Sequence, residues 1–483
     1  MLTLSNINFI KNEKRILSNI NIAVKEGECI ALVGASGSGK SSLLKVFSGL
    51  IPHFYQEDHF SGQLFTNGEL VTEANYEAYI KKTGVVFQDP KSQFFTYKVK
   101  DELDFELENN GLERGFIEQK VKQIARLINI SHLLDCALDS LSSGQKQRVA
   151  IATALINDSD TLILDEPSSN LDLSGTNLLK KLLQSVKDTG KTIIIAEHRV
   201  YYLRDVVDRF IYIQEGKVMK TYTNREFFSL PDALRGELGI RKLSIKAIKP
   251  DRLTKEIPDK DPLVLNDVSI AVKRKQLINS INLTQSRGEI IAIIGRNGVG
   301  KTSFAKTILG TQKAMTGHFL IAGKPLNKRE RLKSVWMVMQ DSIYQIFGDS
   351  SYNELLIGHV QSSADQIKKL LKKFDLWHVR FTHPYNLSGG ERQRLIIAVG
   401  LLQQRHVLIF DEPTSGLDGK NMLRVSSIIK EAALDHYTLI ITHDPELIAE
   451  ICDRVVMLDH TGVVLDLRKE QLDGSTLENL LTF

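Results

Sequence analysis

Cysteine is scarce in this chain. Cys29, Cys136 and Cys452 are the only three, and no two of them form a CxxC pair. An odd, sparse set argues against a disulfide framework and fits a reducing cytosol, with the thiols buried as structural residues. Long apolar runs are missing too. No stretch approaches the roughly 18 residues that a membrane-crossing helix needs, so work at a membrane would require another chain to supply the spanning part. The opening residues, MLTLSNINFIKNEKR, have no basic start followed by an apolar segment, and a secretory signal is not expected. An excess of either charge is also absent: 62 basic residues against 58 acidic ones leave a formal net charge of +4. That balance gives no bulk-charge argument for a nucleic-acid partner, and none is expected. What is present, 42% apolar and 25% charged residues in a chain of 483, suits a soluble globular protein of roughly two to four domains.

Against these absences stands a repeat. VFQDPKSQFF (Val86 to Phe95) returns as VMQDSIYQIF (Val338 to Phe347). GASGSGKS, starting at Gly34, returns as GRNGVGKT from Gly295. LSSGQKQR from Leu141 returns as LSGGERQR from Leu387, and LILDEPSSNLD from Leu162 as LIFDEPTSGLD from Leu408. IIIAEH ends at His198 and LIITHD contains His443. All recur in one order with different loop lengths between them, which marks a domain duplication rather than a solenoid. The expected division is a first domain over 1–225, a linker over 226–262 and a second domain over 263–483. The linker holds Pro231, Pro250, Pro258 and Pro262 and the basic run from Arg241 to Lys255. That run could lie near anionic lipid; a solvated linker with some local structure is the preferred reading.

Within each copy, short Ile/Leu/Val runs alternate with helical periodicity. CIALVG and IIAIIG lead through glycines into KSSLLKVFSGL and KTSFAKTILG. Continuous apolar strands imply a sheet covered on both faces, hence an α/β fold with much parallel pairing.

GxxxxGK[ST] between a strand and a helix is a phosphate-binding loop. Its glycines let backbone N–H groups close on phosphate oxygens, and the helix N-terminus adds a favourable dipole. The candidate residues are Gly34, Ser36, Gly37, Ser38, Gly39, Lys40, Ser41 and Ser42. Their counterparts are Gly295, Asn297, Gly298, Val299, Gly300, Lys301, Thr302 and Ser303. Lys40 and Lys301 would reach the terminal phosphates, and Ser41 and Thr302 would bind Mg²⁺. Two matches in context leave little room for an incidental glycine-rich turn.

LILDEP and LIFDEP end apolar strands in paired acids, which packing alone does not favour. Asp165 and Asp411 suit the Mg²⁺ shell; Glu166 and Glu412 suit positioning and polarising an attacking water. Ser142 and Ser388 open amphipathic helices, with Gly144, Gln145, Gly390 and Glu391 close behind. A serine hydroxyl at a helix start is either a helix cap or a second anion site. Its recurrence between a phosphate loop and an acidic strand end favours the second.

Together these motifs resemble the ATP-binding-cassette ATPases, over almost the whole chain and twice. The resemblance implies two tandem P-loop NTPase domains, each a mixed-sheet core with a helical signature subdomain. It implies ATP and Mg²⁺ as cofactors. It also implies head-to-tail pairing of the two cassettes, with Ser142 facing the ATP on Lys301 and Ser388 the ATP on Lys40; the fusion would make that pairing intramolecular. By the same resemblance His198 and His443 contact the γ-phosphate, and Gln88 and Gln340 approach Mg²⁺ and water. The sequence departs from the family where adenine is often stacked on an aromatic ring: Lys11 and Val272 stand there. Ser143 replaces the first glycine of the signature, and Arg199 follows the first histidine where Asp444 follows the second. Asymmetric sites are therefore expected.

The Q-x-x-x-x-Q-x-F stretches, each followed by an acidic segment, resemble the glutamine-loop region of energy-coupling-factor transporter ATPases, which drive vitamin and metal uptake. Fused pairs of this type resemble those assigned to thiamine-precursor uptake. That resemblance implies a peripheral protein on the cytoplasmic face of a bacterial cell membrane, docked on a transmembrane coupling subunit and joined by a substrate-binding membrane subunit. Gln93, Gln345, Phe95 and Phe347 are expected to line a groove for a partner helix. Glu102 and Glu354 are expected to offer each groove a carboxylate for an arginine. The alternatives are a tandem sugar-importer ATPase, a soluble ribosome-associated cassette protein, which carries a longer charged arm, and a non-hydrolysing scaffold, which the intact Glu166 and Glu412 disfavour.

Overall fold

Each phosphate loop hangs from the centre of a mostly parallel sheet. The computed structural model describes residues 1–54, 59–250, 261–272, 275–340, 342–357, 363–403 and 405–482. Residues 251–260 of the expected linker, with Pro258 and the end of the basic run, lie outside the described residues, as does Asp341 of the second glutamine stretch. The chain forms two units, Met1–Leu243 and Ser244–Phe483. The expected linker straddles that division.

In the first unit, the strand Cys29–Val33 is buried along its whole length. It pairs in parallel with Thr192–Ala196 on one side and Arg209–Gln214 on the other. Thr161–Asp165 and Thr83–Val86 extend the sheet in parallel, and Lys217–Thr223 closes the opposite edge antiparallel. Cys29–Val33 is apolar throughout because both faces of the sheet are covered, as the continuous Ile/Leu/Val runs require. A separate antiparallel sheet of four strands runs Lys14–Val24, Leu2–Lys11, His59–Thr66, Glu69–Leu70. Its inner face joins Leu43, Val46 and Phe47 of the helix after the phosphate loop in one core cluster. A second cluster holds the helical subdomain, where Val99–Asn109, Arg114–Leu127 and Ser143–Leu155 pack around Leu103, Val121 and Val149.

The second unit repeats the plan. Ile290–Ile294 is wholly buried and lies between Tyr437–Ile441 and Arg454–Asp459, parallel to both. Here one bridge, Ser280 to Gly462, joins the antiparallel and parallel parts into a ten-stranded order. The first unit makes the matching junction through Ser18 N–H to the Gly216 carbonyl, 2.9 Å.

The segment after 225 docks on the first unit before the division. Thr223 caps the short helix Asn224–Phe228, and Phe227 stacks on Phe210 with centroids 3.9 Å apart. Ile240 and Leu243 are buried in the same core. Beyond the division, Ile245 and Ile248 are buried as well.

Candidate nucleotide sites

The loop after Cys29–Val33 turns through Gly34, Gly37 and Gly39 at φ of 149°, 75° and 104°. A Cβ at Gly34 would sit 2.1 Å from the Ile213 carbonyl oxygen, so glycine is required there for space as well as for conformation. Gly39 precedes the helix Lys40–Phe47. Lys40 is buried, and its Nζ donates to the carbonyls of Gly34 and Ala35, both at 3.0 Å. The loop curls around its own lysine. Ser38 is buried beneath it, and Ser36 and Ser42 are half-buried on either side. The second unit builds the same cradle: Gly295, Gly298 and Gly300 have φ of 150°, 85° and 113°. Lys301 Nζ donates to Gly295 at 2.6 Å and to Arg296 at 3.1 Å. Val299 is buried under that loop, Asn297 is exposed at its tip, and Ser303 is half-buried.

Behind each loop a hydroxyl faces an acid. Ser41 Oγ donates to Asp165 Oδ1 at 3.1 Å, and Thr302 Oγ1 to Asp411 Oδ2 at 3.0 Å. Burial, with help from the adjacent Glu166, pushes the Asp165 carboxyl up to about 6. Burial also raises Asp411. Clustered oxygen donors under this pressure to shed negative charge form the kind of set a hard divalent cation satisfies. The residues present fit Mg²⁺ beside a phosphate chain.

The next residue in each strand end, Glu166 or Glu412, adopts the left-handed backbone conformation at φ 44° or 48°. A non-glycine residue held there costs on the order of 1–3 kcal/mol, and such strain concentrates at functional sites. Glu166 Oε2 accepts from Gln88 Nε2 at 2.8 Å, and its Oε1 lies 3.3 Å from His198 Nε2. Burial pushes the Glu166 carboxyl up, but His198, Lys40 and Gln88 outweigh it and hold the group below the usual range. The first unit thus brings Gln88, Glu166, His198, Lys40, Ser41 and Asp165 into one cluster. In the second unit Glu412 accepts from Thr442 Oγ1 and from the backbone N–H of buried His443, both at 3.1 Å. Gln340 lies exposed just past the strand Val335–Val338.

The signature serines are exposed helix caps. Ser142 Oγ accepts from Gln145 N–H at 3.3 Å, and Ser142 N–H donates to Gln145 Oε1 at 2.8 Å. Ser388 and Glu391 make the same reciprocal box, and the hydroxyl and N–H of Ser388 together hold the Glu391 carboxyl below its usual range despite partial burial. Gly144 and Gly390 lie in the first turns of these helices.

The acids and second glutamines of the repeated stretch do not do what the sequence reading expected. Glu102 is buried, and its carboxylate accepts from Phe95 N–H at 3.0 Å and from the N–H and hydroxyl of Thr96 at 2.8 and 2.9 Å. Glu354 is buried as well and accepts from Phe347 N–H at 2.9 Å and from Gly348 N–H. Both carboxylates are buried and committed to loop N–H groups, Glu354 through its Oε2, so neither stands open on the surface for an incoming arginine. Gln93 and Gln345 also turn inward. Gln93 Oε1 accepts from Phe87 N–H at 2.9 Å, and Gln345 Oε1 from Met339 N–H at 2.7 Å. They brace the loop rather than line a groove. What they leave outside are Phe95 and Phe347, each 78% exposed.

Two strand–loop–helix phosphate cradles, each backed by an Asp-Glu strand end, define a duplicated P-loop nucleoside-triphosphatase. The ABC transporter family matches residues 17–169 and 278–415. This chain belongs to that family: it is the ATPase of a transporter, it binds ATP and it hydrolyses it. A Treponema denticola protein named as an ABC transporter ATP-binding protein is 37% identical over 480 residues, covering 98% of both chains. The Bacillus subtilis protein YkoD, whose name assigns it to HMP/thiamine import, is 31% identical over 507 residues, covering 98% of this chain and 92% of its own. Among solved structures, a model of ribosome-bound archaeal Pelota and ABCE1 superposes with a TM-score of 0.67 at 22% identity, covering 96% of this chain and 78% of the other, a likeness of fold. Among the described residues, no helix is long and apolar enough to cross a membrane.

Proposed function

We propose that this chain is the ATP-driven motor of an importer of the energy-coupling-factor type. It works at the cytoplasmic face of the cell membrane, on a transmembrane coupling subunit joined by a substrate-binding membrane subunit. The observation that carries the reading is the duplicated glutamine loop. Its first glutamine, Gln88, touches Glu166 at the nucleotide site, and a few residues on a buried glutamate anchors the backbone beneath an exposed phenylalanine. In the first unit Phe95 stacks on half-exposed Phe105, centroids 5.6 Å apart, which widens the apolar patch. A carboxylate committed to holding a ring out in water makes sense when a partner helix covers the ring. The similarity to YkoD supports a vitamin as cargo, with thiamine precursors as the candidates; metal ions are the other class this type of importer carries.

In this reading the phosphate loops with Lys40 and Lys301 hold the triphosphates. Ser41, Asp165 and Gln88, and Thr302, Asp411 and Gln340, hold Mg²⁺, which neutralises charge on the phosphate oxygens. Glu166 and Glu412 orient and polarise the attacking water, and His198 and His443 bind the γ-phosphate. Ser142 and Ser388, with Gly144, Gln145, Gly390 and Glu391, complete the site of the opposite cassette when the two pair within one chain. The experiment is reconstitution of the chain with its co-purifying membrane proteins in liposomes, with ATP on the chain's side. ATP-dependent uptake of a thiamine precursor, another vitamin or a metal ion is expected. ATP turnover without uptake of any of these would count against the importer reading.

A further inference from the structure

The two switch-histidine loops differ in where they keep a buried acid. The strand pairings Leu32–Ala196 and Ile293–Ile441 align the loops, so that Glu197 occupies the position of Thr442 and Arg199 that of Asp444. In the second unit the acid follows the histidine. Asp444 is fully buried, and its Oδ2 accepts from the Thr414 hydroxyl at 2.6 Å. Its Oδ1 accepts from Glu446 N–H at 3.1 Å and caps the helix Pro445–Ile451. Thr414 lies two residues after Glu412, in the turn leaving the acidic strand. A carboxylate therefore ties that turn to the loop carrying His443.

In the first unit the acid precedes the histidine. Glu197 is 2% exposed. Its Oε1 accepts from the N–H groups of His198 and Arg199 at 2.7 and 3.1 Å. Its Oε2 accepts from the Tyr202 hydroxyl at 2.9 Å and from Ser168 N–H at 3.3 Å. Ser168 is the counterpart of Thr414, two residues after Glu166. An ionised carboxylate has about four lone-pair sites, and four donors fill them here. Glu197 thus has no lone pair left for an attacking water and is not a second base beside Glu166. Charge-assisted bonds from backbone N–H groups instead fix the loop it starts.

We infer that Glu197 is a positioning residue, a buried clamp that replaces Asp444 and sets His198 against Glu166 by tying both flanking loops to one carboxylate. The acid has changed sides of the histidine while keeping the turn it holds. The inference rests on the reading of Glu166 and His198 as site residues. It predicts that the pair of positions is exchangeable as a unit: threonine before the histidine is tolerated when aspartate follows it, because the Ser168 hydroxyl can then donate as Thr414 does.

The test uses the full chain and compares Glu197→Thr, Glu197→Thr with Arg199→Asp, and Glu166→Gln with the wild type. Steady-state ATPase kinetics, affinity for a fluorescent ATP analogue and thermal midpoint are measured for each. Glu197→Thr should lower kcat about ten- to a hundredfold, as misplacing a positioned group does, with nucleotide affinity changed less than about twofold. The double variant should regain at least half of the wild-type kcat. Wild-type kcat in Glu197→Thr, or a loss the double variant leaves unrepaired, would overturn the clamp. So would a kcat that merely follows the thermal midpoint across the variants. Glu166→Gln separates the two readings. If it lowers turnover while Glu197→Thr keeps the wild-type kcat, the clamp alone fails; if it keeps wild-type turnover, the reading of the site fails and takes the clamp with it.

Discussion

Gln88 Nε2 donates to Glu166 Oε2 at 2.8 Å, joining residues 78 apart in the chain. One end of that bond is the strand-end acid behind the phosphate loop; the other opens the stretch that closes on exposed Phe95. The bond makes the nucleotide site and an exposed apolar surface neighbours in one loop, the arrangement the proposed motor needs. If the acid polarises water, Glu166→Gln with Glu412→Gln should keep ATP binding and reduce turnover by a factor of about 10² or more. Near-normal turnover in the double variant, measured by phosphate release, would refute the role.

Glu166 accepts from the Gln88 amide and lies beside the His198 ring, and Glu412 accepts from the hydroxyl of Thr442, a position where the first unit has the acid Glu197. Sites built differently should not contribute equally. Lys40→Ala and Lys301→Ala are expected to lower the ATPase rate by different factors. Equal losses across a range of ATP concentrations would show these differences to be silent.

Asp165 bears a cost in the nucleotide-free protein. Burial and its neighbour Glu166 raise its carboxyl from an ordinary 3.8 to about 6. The folded state then binds the proton more tightly than the unfolded one. The group's contribution is most favourable below pH 4 and is lost as pH rises through 6. Asp165→Asn should therefore stabilise the nucleotide-free protein at pH 8 by up to about 3 kcal/mol, with the gain shrinking below pH 6. Denaturant unfolding at pH 8 and pH 5 checks this. A destabilised variant at pH 8 would contradict it.

Glu102 holds the backbone beneath Phe95 through bonds to the Phe95 and Thr96 N–H groups. Glu102→Ala should deprive those part-buried donors of their acceptor, at a cost of about 1 kcal/mol. Amide exchange at Phe95 and Thr96 should accelerate at least about tenfold, while the strand Cys29–Val33 keeps its protection. Unchanged exchange at the two loop amides would remove the anchoring role.

The phosphate loops and acidic strand ends were legible because their chemistry is local: glycines at fixed spacing, a lysine, and a carboxylate where an apolar strand stops. The parallel strands were legible because Cys29–Val33 and Ile290–Ile294 are apolar without a break. Glu102 was not. An acid in the first turns of VKDELDFELEN reads as solvated, and nothing in the local pattern says that loop N–H groups will cover it. The inward turn of Gln93 is hidden for the same reason, since its amide bonds backbone groups rather than a side chain that sequence could name. Glu197 carries a signal of its own. Like Glu166 it follows directly on a strand with an unbroken apolar run, Ile193 to Ala196, where an acid has no packing reason to stand. The swap of acid across the histidine shows only when the two copies are aligned by strand register.

The central claim is that this chain drives a membrane importer through its exposed phenylalanines, and co-purification tests it most directly. The tagged chain, extracted in mild detergent from its native cells, should bring down an integral-membrane subunit. Phe95→Arg with Phe347→Arg should lose that subunit while still binding ATP, because a charged side chain replaces the apolar contact a partner helix would make. Recovery of the wild-type chain without any membrane protein, or full retention of the subunit by the double variant, would contradict the account.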